Sequence, residues 1–391
     1  MSMDVRPVAT GKTMTEKVAA EVARRVPLLS PRPGPFVNAS NRCSLDYRAE
    51  AVLLPELGYP IIDAHTHVNG PEAARVMLEA MDLYGIGRVY SMTLIEQVPA
   101  IQDLYGDRIR FIAIPDWAST DRRLANGAGF LKNIERFHAL GARIVKFWQA
   151  PRTIDLATDA GDPRLFAING PDRLRAMELA DSLGMTFMTH IADPDTWFST
   201  RYKDASKYGS KSSHYEPLEI LLDRFRHRTW IAAHMGGWPE DLAFLSGLLD
   251  RHPNLHLDTS ATKWIVRELS KHPLVDLTAF VQRYRGRLLF GSDIVTADEH
   301  LKSVEGKTEM QAKAESPETA FDLYASRYWA LRMLWEGEGS MESPICDPDL
   351  AMVAPECHPA NAAPMLRGSQ LAPDLLKSLY HDAAMAVLPH A

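Results

Sequence analysis

Eight short apolar runs rich in β-branched residues, each divided from the next by a longer connecting stretch, constrain this chain more than any other feature. They are PIIDAH (60–65), GRVYSMTL (87–94), IRFIAIPD (109–116), ARIVKFW (142–148), MTFMTHI (185–191), TWIAAHM (229–235), LHLDTSA (255–261) and RLLFGSDI (287–294). Most are continuous rather than alternating in polarity, as a strand covered on both faces requires. The connecting stretches read as helices over 71–84, 129–140, 171–183, 216–227, 239–251 and 263–284, with 97–106 the poorest of the series. Gly141 and Gly184 fit the residue just past a helix end, and Pro171 fits a first turn. Such alternation leaves a closed α/β barrel or a doubly wound sheet. The first strand runs into DAHTHVNG, which is not the G-x-G-x-x-G of a nucleotide fold. The expected fold is therefore a (β/α)8 TIM barrel.

A chain of 391 residues with 46% hydrophobic and 24% charged residues has the material for one large core. The net charge of −7, without a basic block, argues against a nucleic-acid partner. The apolar runs are strand-length, too short for a membrane span of roughly 20 residues. Three irregularly spaced cysteines, Cys43, Cys346 and Cys357, read as reduced thiols. The first residues carry no apolar signal core, so a cytoplasmic location is expected. Residues 1–57 form an N-terminal extension with an amphipathic stretch (Thr15–Val26) and a Pro/Ser/Asn-rich segment. It is expected to pack across the barrel or onto another subunit, in a homodimer or larger homo-oligomer. The barrel occupies 58–391, with an insertion at 296–366 and a closing helix at 367–388.

The strongest local signal for chemistry is Asp63-Ala64-His65-Thr66-His67 at the end of the first strand. Residues i and i+2 of a strand share a face, so His65 and His67 can address one point. His190, His234 and Asp293 end the fifth, sixth and eighth strands, and Lys146 lies near the end of the fourth. Barrel enzymes draw their catalytic groups from that end. Ionisable groups inside apolar runs cost several kcal/mol unless paired or metal-bound. A lone histidine in such a run is more often a hydrogen-bonded core residue, but the joint placement points to a metal site. Asp63 shares the histidines' parity, as a partner fixing an imidazole tautomer or as a polar group at the barrel floor.

The motifs IIDAHTH, THI, AHMGG and LLFGSD, with the closing LRGSQLAPDLLKSLYHDAAMAVL, resemble the amidohydrolase superfamily. The similarity is to its branch that includes aminocarboxymuconate-semialdehyde decarboxylase, over residues 60–294 and 367–388. The resemblance implies one divalent metal ion, zinc or alternatively manganese, ligated by His65, His67, His190 and Asp293. It implies His234 as the acid/base, and Asp293 as a ligand that also accepts a proton. In binuclear members of the superfamily a lysine at the position of Lys146 is carboxylated and bridges two metals. Contact with an anionic substrate, or a structural ion pair, are the other readings of Lys146.

Trp117, Trp148, Trp197, Trp238 and Trp264 each follow a strand end, where aromatic walls suit a planar or apolar small-molecule substrate. Arg201, Lys263, Asp193 and Arg267 are candidate charges, and SKYGSKSSHY reads as a lid or a solvated loop. Tyr324, Arg327 and Trp329 in the insertion are placed to close over the site or to form a subunit contact. The expected function is a metal-dependent hydrolase acting on an amide, ester or lactone. The alternatives are a non-oxidative decarboxylase (a lyase) of a small aromatic or dienoic acid, and a catalytically silent ligand-binding barrel.

Overall fold

The alternation closes into a ring. The computed structural model describes residues 26–27 and 38–388. Its main sheet runs through β1 (Ile61–His67), β2 (Ile86–Ser91), β3 (Ile109–Ala113), β4 (Ile144–Trp148), β5 (Thr186–His190), β6 (Trp230–Ala232) and β7 (Leu255–Asp258), each parallel to the next. The eighth strand, β8, is split. Its first piece, Leu288–Leu289, pairs with β7, and its second, Ile294–Val295, pairs with β1. Between them the Phe290 carbonyl accepts from the Ala64 N–H, and the Asp293 N–H donates to the His65 carbonyl, both at 2.8 Å. The ends of the ladder are thus two pieces of one strand, and the barrel has no open edge. That removes the doubly wound alternative.

The surrounding helices are α1 (Pro71–Tyr84), α2 (Val98–Tyr105), α3 (Ala128–Ala139), α4 (Pro171–Ser182), α5 (Tyr215–Arg224) and α6 (Leu242–Arg251). α1 starts with Pro71 in its first turn, and Asp298 Oδ1 accepts from the N–H groups of Glu72 and Ala73 at 3.0 and 2.9 Å. The stretch with the poorest helical signal still forms α2, because Val98, Ile101 and Tyr105 fall on one buried face. The expected helix over 263–284 is instead two, α7 (Thr262–Leu269) and α8 (Leu274–Arg283). Pro273 has no N–H to donate and disfavours helical geometry at His272, so the helix stops and restarts.

The stretch 296–366 contains the longest helix among the described residues, α9 (Pro317–Glu336), opened by a capping box between Ser316 and Thr319. α9 packs against α1 and α7 and buries Tyr324, Tyr328, Trp329 and Trp335. The C-terminal helix runs Pro373–Lys377, Ser378–Asp382 and Ala383–Val387, with a π turn in the middle. Such a turn shifts the backbone ladder by one residue, and here the Leu379 carbonyl accepts from the Phe290 N–H (3.1 Å), tying this helix to β8. Before the barrel, a helix at Tyr47–Leu53 lies on its flank: the Tyr84 hydroxyl donates to the Tyr47 carbonyl (2.8 Å), and the Tyr47 ring meets Trp329. Val26–Pro27 pairs in parallel with Gly337–Glu338. Apart from Val26, the amphipathic stretch from Thr15 lies outside the described residues. Among the described residues no helix is long and apolar enough to cross a membrane.

Candidate metal centre

β1 delivers two imidazoles to one carboxylate at the C-terminal mouth of the barrel. Asp293 Oδ1 lies 3.1 Å from His67 Nε2 and 3.5 Å from His65 Nε2. These donors lie within 4.8 Å of one another, close enough to share one ion. Two imidazoles and a carboxylate are a donor set that suits a divalent metal and leaves positions open.

The back of His65 is held by a residue that sequence reasoning passed over. Asp258, the last residue of β7, places Oδ2 2.8 Å from His65 Nδ1. Its Oδ1 accepts from the His234 N–H (2.8 Å), the Ser260 N–H (3.1 Å) and the Ser260 hydroxyl. Ser260 Oγ is also 2.8 Å from His234 Nδ1 and 3.1 Å from His65 Nδ1. His65, His234 and Asp258 form a second close group of potential ligands. The Asp258 contact uses His65 Nδ1, however, and that leaves Nε2 for an ion at Asp293. A carboxylate behind a ligating imidazole fixes its tautomer and raises its basicity. LHLD ends a strand just as THI and FGSD do, so the rule that singled out the other strand ends would have found Asp258.

The strand ends bend sharply to present these groups. His234, Met235, Gly236 and Gly237 all have positive φ, a left-handed turn straight after β6. A Cβ on Gly237 would lie 2.4 Å from the Ala192 carbonyl oxygen, so AHMGG needs glycine there. A Cβ on Gly291 would come within 3.0 Å of Ser260 Cβ and 3.2 Å of His65 Cβ, which explains the glycine of FGSD. Asp293 and Ala261 are also left-handed, with φ of 60° and 65°.

The remaining expected residues divide. His190 lies beside His234 (ring centroids 4.7 Å apart), but its Nε2 is engaged by Asp193 Oδ1 at 2.9 Å, outside both three-ligand groups. Lys146 is buried, and among the described residues its Nζ has no hydrogen-bond partner. Asp63 does not reach an imidazole ring, which corrects the reading that it fixes a histidine tautomer. It accepts from the backbone N–H groups of His65 (3.1 Å) and Ser292 (3.0 Å) and from the hydroxyls of Ser292 (2.6 Å) and Tyr328 (3.1 Å). It is a buried polar node joining β1, β8 and α9.

Among the tryptophans, Trp264 faces His234 and His190 (5.8 and 6.5 Å) and Trp117 faces His67 (5.6 Å). Trp197 packs on Trp264, and Asp349 Oδ2 accepts from both indoles, at 2.8 Å from Trp197 and 3.1 Å from Trp264. Trp148 and Trp238 were expected to line the site, but the contacts they make are elsewhere. Trp148 meets Phe166 and Arg152, and Trp238 stacks on Tyr215 against Phe244. Arg201 lies over the Trp197 ring at 4.3 Å. The segment SKYGSKSSHY is tied down: Lys211 is buried and paired with Asp195 (2.7 Å) and Glu240 (3.2 Å).

Burial and charge set the protonation of the cluster. Burial lowers His65, with Lys146 adding to the effect, and takes His234 well below its ordinary value, with the nearby His190 charge adding. Burial thus favours the neutral form of both imidazoles, which leaves lone pairs for a metal or a proton. Burial would raise the Asp258 carboxyl, but the charge and hydrogen bond of His65, with His234 and Lys146, hold it well below the carboxylate range. Asp293 is likewise held down, against burial, by its His67 hydrogen bond and the charges of His65 and His234. Burial pushes Lys146 down to about 8 although Asp258 and Asp293 pull it up. Burial drives Asp63 up to about 7 despite its hydrogen bonds.

A closed α/β barrel with imidazoles and carboxylates gathered at one mouth defines a metal-binding barrel enzyme. The chain belongs to the amidohydrolase family, whose pattern it matches over residues 62–389, and it is an enzyme of that family. None of the curated proteins matches it in sequence. Among solved structures it is similar to 5-carboxyvanillate decarboxylase from Novosphingobium aromaticivorans, complexed with manganese and 4-hydroxy-3-methoxy-5-nitrobenzoic acid. That match has 12% identity and a TM-score of 0.40, and covers 70% of this chain and 91% of the other. It is also similar to an amidohydrolase from Burkholderia multivorans with bound HEPES, at 12% identity and a TM-score of 0.36, covering 84% and 98% of the two chains. An amidohydrolase from the same organism with bound zinc has the same identity and coverage and a TM-score of 0.31.

Proposed function

We propose that this enzyme holds one divalent ion, zinc or manganese, through His65, His67 and Asp293 with His190 as a fourth ligand, and hydrolyses an amide, ester or lactone of a small molecule. The observation that carries the reading is the approach of His65 Nε2 and His67 Nε2 to one oxygen of Asp293 while Asp258 holds His65 from behind. His190 Nε2 is held by Asp193, so its Nδ1 is the nitrogen left to join the set. When bound, such an ion supplies Lewis acidity, which polarises a substrate oxygen and makes water more acidic.

The chain's own groups do the rest. His234 is neutral, and its Nδ1 faces Ser260, so Nε2 takes the proton of the attacking water and returns it to the leaving group. Lys146, with no hydrogen-bond acceptor among the described residues, stabilises negative charge developing on the carbonyl oxygen. Trp264 and Trp117 bound the space above the histidines. The catalytic unit on this reading is 58–391.

Decarboxylation is the second reading, favoured by the rings of Trp264 and Trp117 beside the histidines, which suit a planar acid. His234 would then protonate the ring carbon that loses the carboxylate. The deciding experiment incubates metal-loaded enzyme with panels of esters, lactones and aromatic acids, following acid release by titration and carbon dioxide by trapping. Acid without carbon dioxide supports hydrolysis. Carbon dioxide overturns it in favour of the lyase. Full metal content with neither product across the panels overturns both readings of the reaction.

A further inference from the structure

Behind His190 stands a carboxylate, and behind that carboxylate a phenol. Asp193 gives one oxygen to each: Oδ1 lies 2.9 Å from His190 Nε2, and Oδ2 accepts from the Tyr202 hydroxyl at 2.6 Å. All three side chains are buried. A carboxyl group is far more acidic than a phenol, so Asp193 is the acceptor in both contacts. The Tyr202 hydrogen therefore points at Oδ2, and the hydrogen shared with His190 sits on Nε2. Among the described residues no second side chain serves Oδ2, and a buried carboxylate oxygen without a donor is strongly unfavourable.

The chain from Asp193 to Tyr202 is folded to make that contact. Asp193 lies past the last residue of β5, where the strand ladder no longer aims a side chain. The Trp197 N–H donates to the Pro194 carbonyl and the Tyr202 N–H to the Trp197 carbonyl, both at 2.9 Å, so the loop doubles back on its own start. The Tyr202 ring is set edge-on against Phe198 (5.3 Å) and meets Trp197 (6.0 Å) and Tyr208 (5.1 Å). Ring packing thus fixes where the phenol sits, and its hydroxyl fixes where the carboxylate points.

A carboxylate behind an imidazole fixes which ring nitrogen carries the hydrogen, and it does so only as firmly as it is itself held. We infer that Tyr202 is a positioning residue for His190: by anchoring Asp193 it keeps the ring hydrogen on Nε2 and leaves Nδ1 bare to meet an ion. Without the phenol the carboxylate is free to turn away, and either nitrogen of His190 carries the hydrogen. For the role of His190 as a metal ligand this inference rests on the proposed function; the state of the ring does not depend on it.

The test reads the ring directly. Nitrogen NMR of the full-length, metal-free protein, isotope-labelled in its histidines and held at about pH 8 where an ordinary imidazole is neutral, shows which nitrogen carries the hydrogen. The His190 signals are those missing from His190→Gln. The unaltered protein should show the hydrogen on Nε2 alone. Tyr202→Phe keeps the packed ring and removes the hydroxyl; it should show both forms, and zinc affinity measured against a competing chelator should fall about tenfold, the low end for support behind a ligand. Tyr208→Phe removes a hydroxyl of the same ring cluster that is bonded to Asp155 (3.1 Å) rather than Asp193, and should change neither readout. A hydrogen on Nδ1 in the unaltered protein overturns the inference, whether or not any variant folds. A Tyr202→Phe protein with the hydrogen still on Nε2 alone overturns it too, and so does a Tyr208→Phe protein with the same mixture, which would put the cause in ring packing. Both forms in Tyr202→Phe with zinc affinity within about twofold of the unaltered protein support the hold on His190 and remove His190 from the proposed ligand set, so the two readings fail separately.

Discussion

Asp258→Asn is the substitution that most directly tests how His65 is prepared for a metal. The carboxylate accepts three hydrogen bonds through Oδ1 and meets His65 Nδ1 through Oδ2 at 2.8 Å. Asparagine keeps one oxygen to serve the backbone donors. It turns the atom facing His65 into an amide N–H₂ group, a donor. His65 Nδ1 must then accept, its proton moves to Nε2, and the nitrogen facing Asp293 loses its free lone pair. Loss of a carboxylate behind a metal-ligating histidine costs 10- to 100-fold in metal affinity, about 1.4–2.7 kcal/mol. Ser260 Oγ, 3.1 Å from His65 Nδ1, is a fallback acceptor, so Asp258→Asn with Ser260→Ala should lose more metal than either change alone. Folding stability should fall by about 1–3 kcal/mol, the cost of one mismatched buried polar group. The assay is metal content after dialysis against a competing chelator, with urea unfolding to establish that the variant is folded. A folded Asp258→Asn protein that binds metal within about twofold of the unaltered one refutes the tautomer argument.

Three further outcomes are expected. His234→Asn should keep its metal but lose at least about 100-fold in turnover, as removal of a general acid/base does; undiminished turnover ends its proton-transfer role. Lys313 has a value near 8 in the folded protein against an ordinary 10.5, so between these values the unfolded chain binds more protons and stability rises with pH. The penalty is therefore full below about pH 8, and Lys313→Met should be more stable at pH 7 by about 1 kcal/mol after screening, with the gap closing towards pH 10.5. Burial is the main cause of the shift, with Lys263 and Arg327 adding to it; denaturant melts across that range check the sign, and a variant no more stable at pH 7 removes the burial penalty. Asp349→Ala strips the shared acceptor from Trp197 and Trp264 and should lower stability by about 1–3 kcal/mol with a change in tryptophan emission; Asp349→Asn, which keeps an acceptor, should recover part of both, and unaltered emission in Asp349→Ala rules the clamp out.

The barrel was readable because its strands are covered on both faces, so each appears as an unbroken apolar run. Their C-terminal limits were less readable. The run at 229–235 yields a strand only over Trp230–Ala232, and the one at 287–294 breaks into two pieces. In both cases the chain turns left-handed while most of the run stays buried, and hydrophobicity records burial rather than backbone direction. The over-long helix at 263–284 has a different cause: helical spacing of apolar residues carries across Pro273, but the backbone ladder does not. Within the site, strand parity brought His65 and His67 to one point but left two readings of Asp63 open, since parity fixes a face of the strand and not how deep along the barrel a side chain sits; the buried hydrogen bonds favour the polar group over the tautomer partner. Trp148 and Trp238 follow strand ends, as Trp117 and Trp264 do, yet their rings go to Phe166 and Tyr215. A one-dimensional pattern carries no term for that choice, which the neighbouring helices make.

The left-handed strand ends show why this mouth needs partners far away in sequence. His234, Met235, Ala261 and Asp293 each sit in a conformation that costs a non-glycine residue about 1–2 kcal/mol. Hydrogen bonds that no local motif announces hold two of them there: Asp258 takes the His234 N–H, and the His65 carbonyl takes the Asp293 N–H. Asp258 therefore joins two jobs, setting the His65 ring and pinning the turn that carries His234. Its exchange for alanine should release both at once, loosening the AHMGG turn as well as the metal. A histidine deletion would disturb only one of them, so the two kinds of variant separate by hydrogen exchange at the His234 amide: faster in Asp258→Ala, unchanged in His67→Ala. Equal protection of that amide in both variants would mean that the turn is held by its glycines alone.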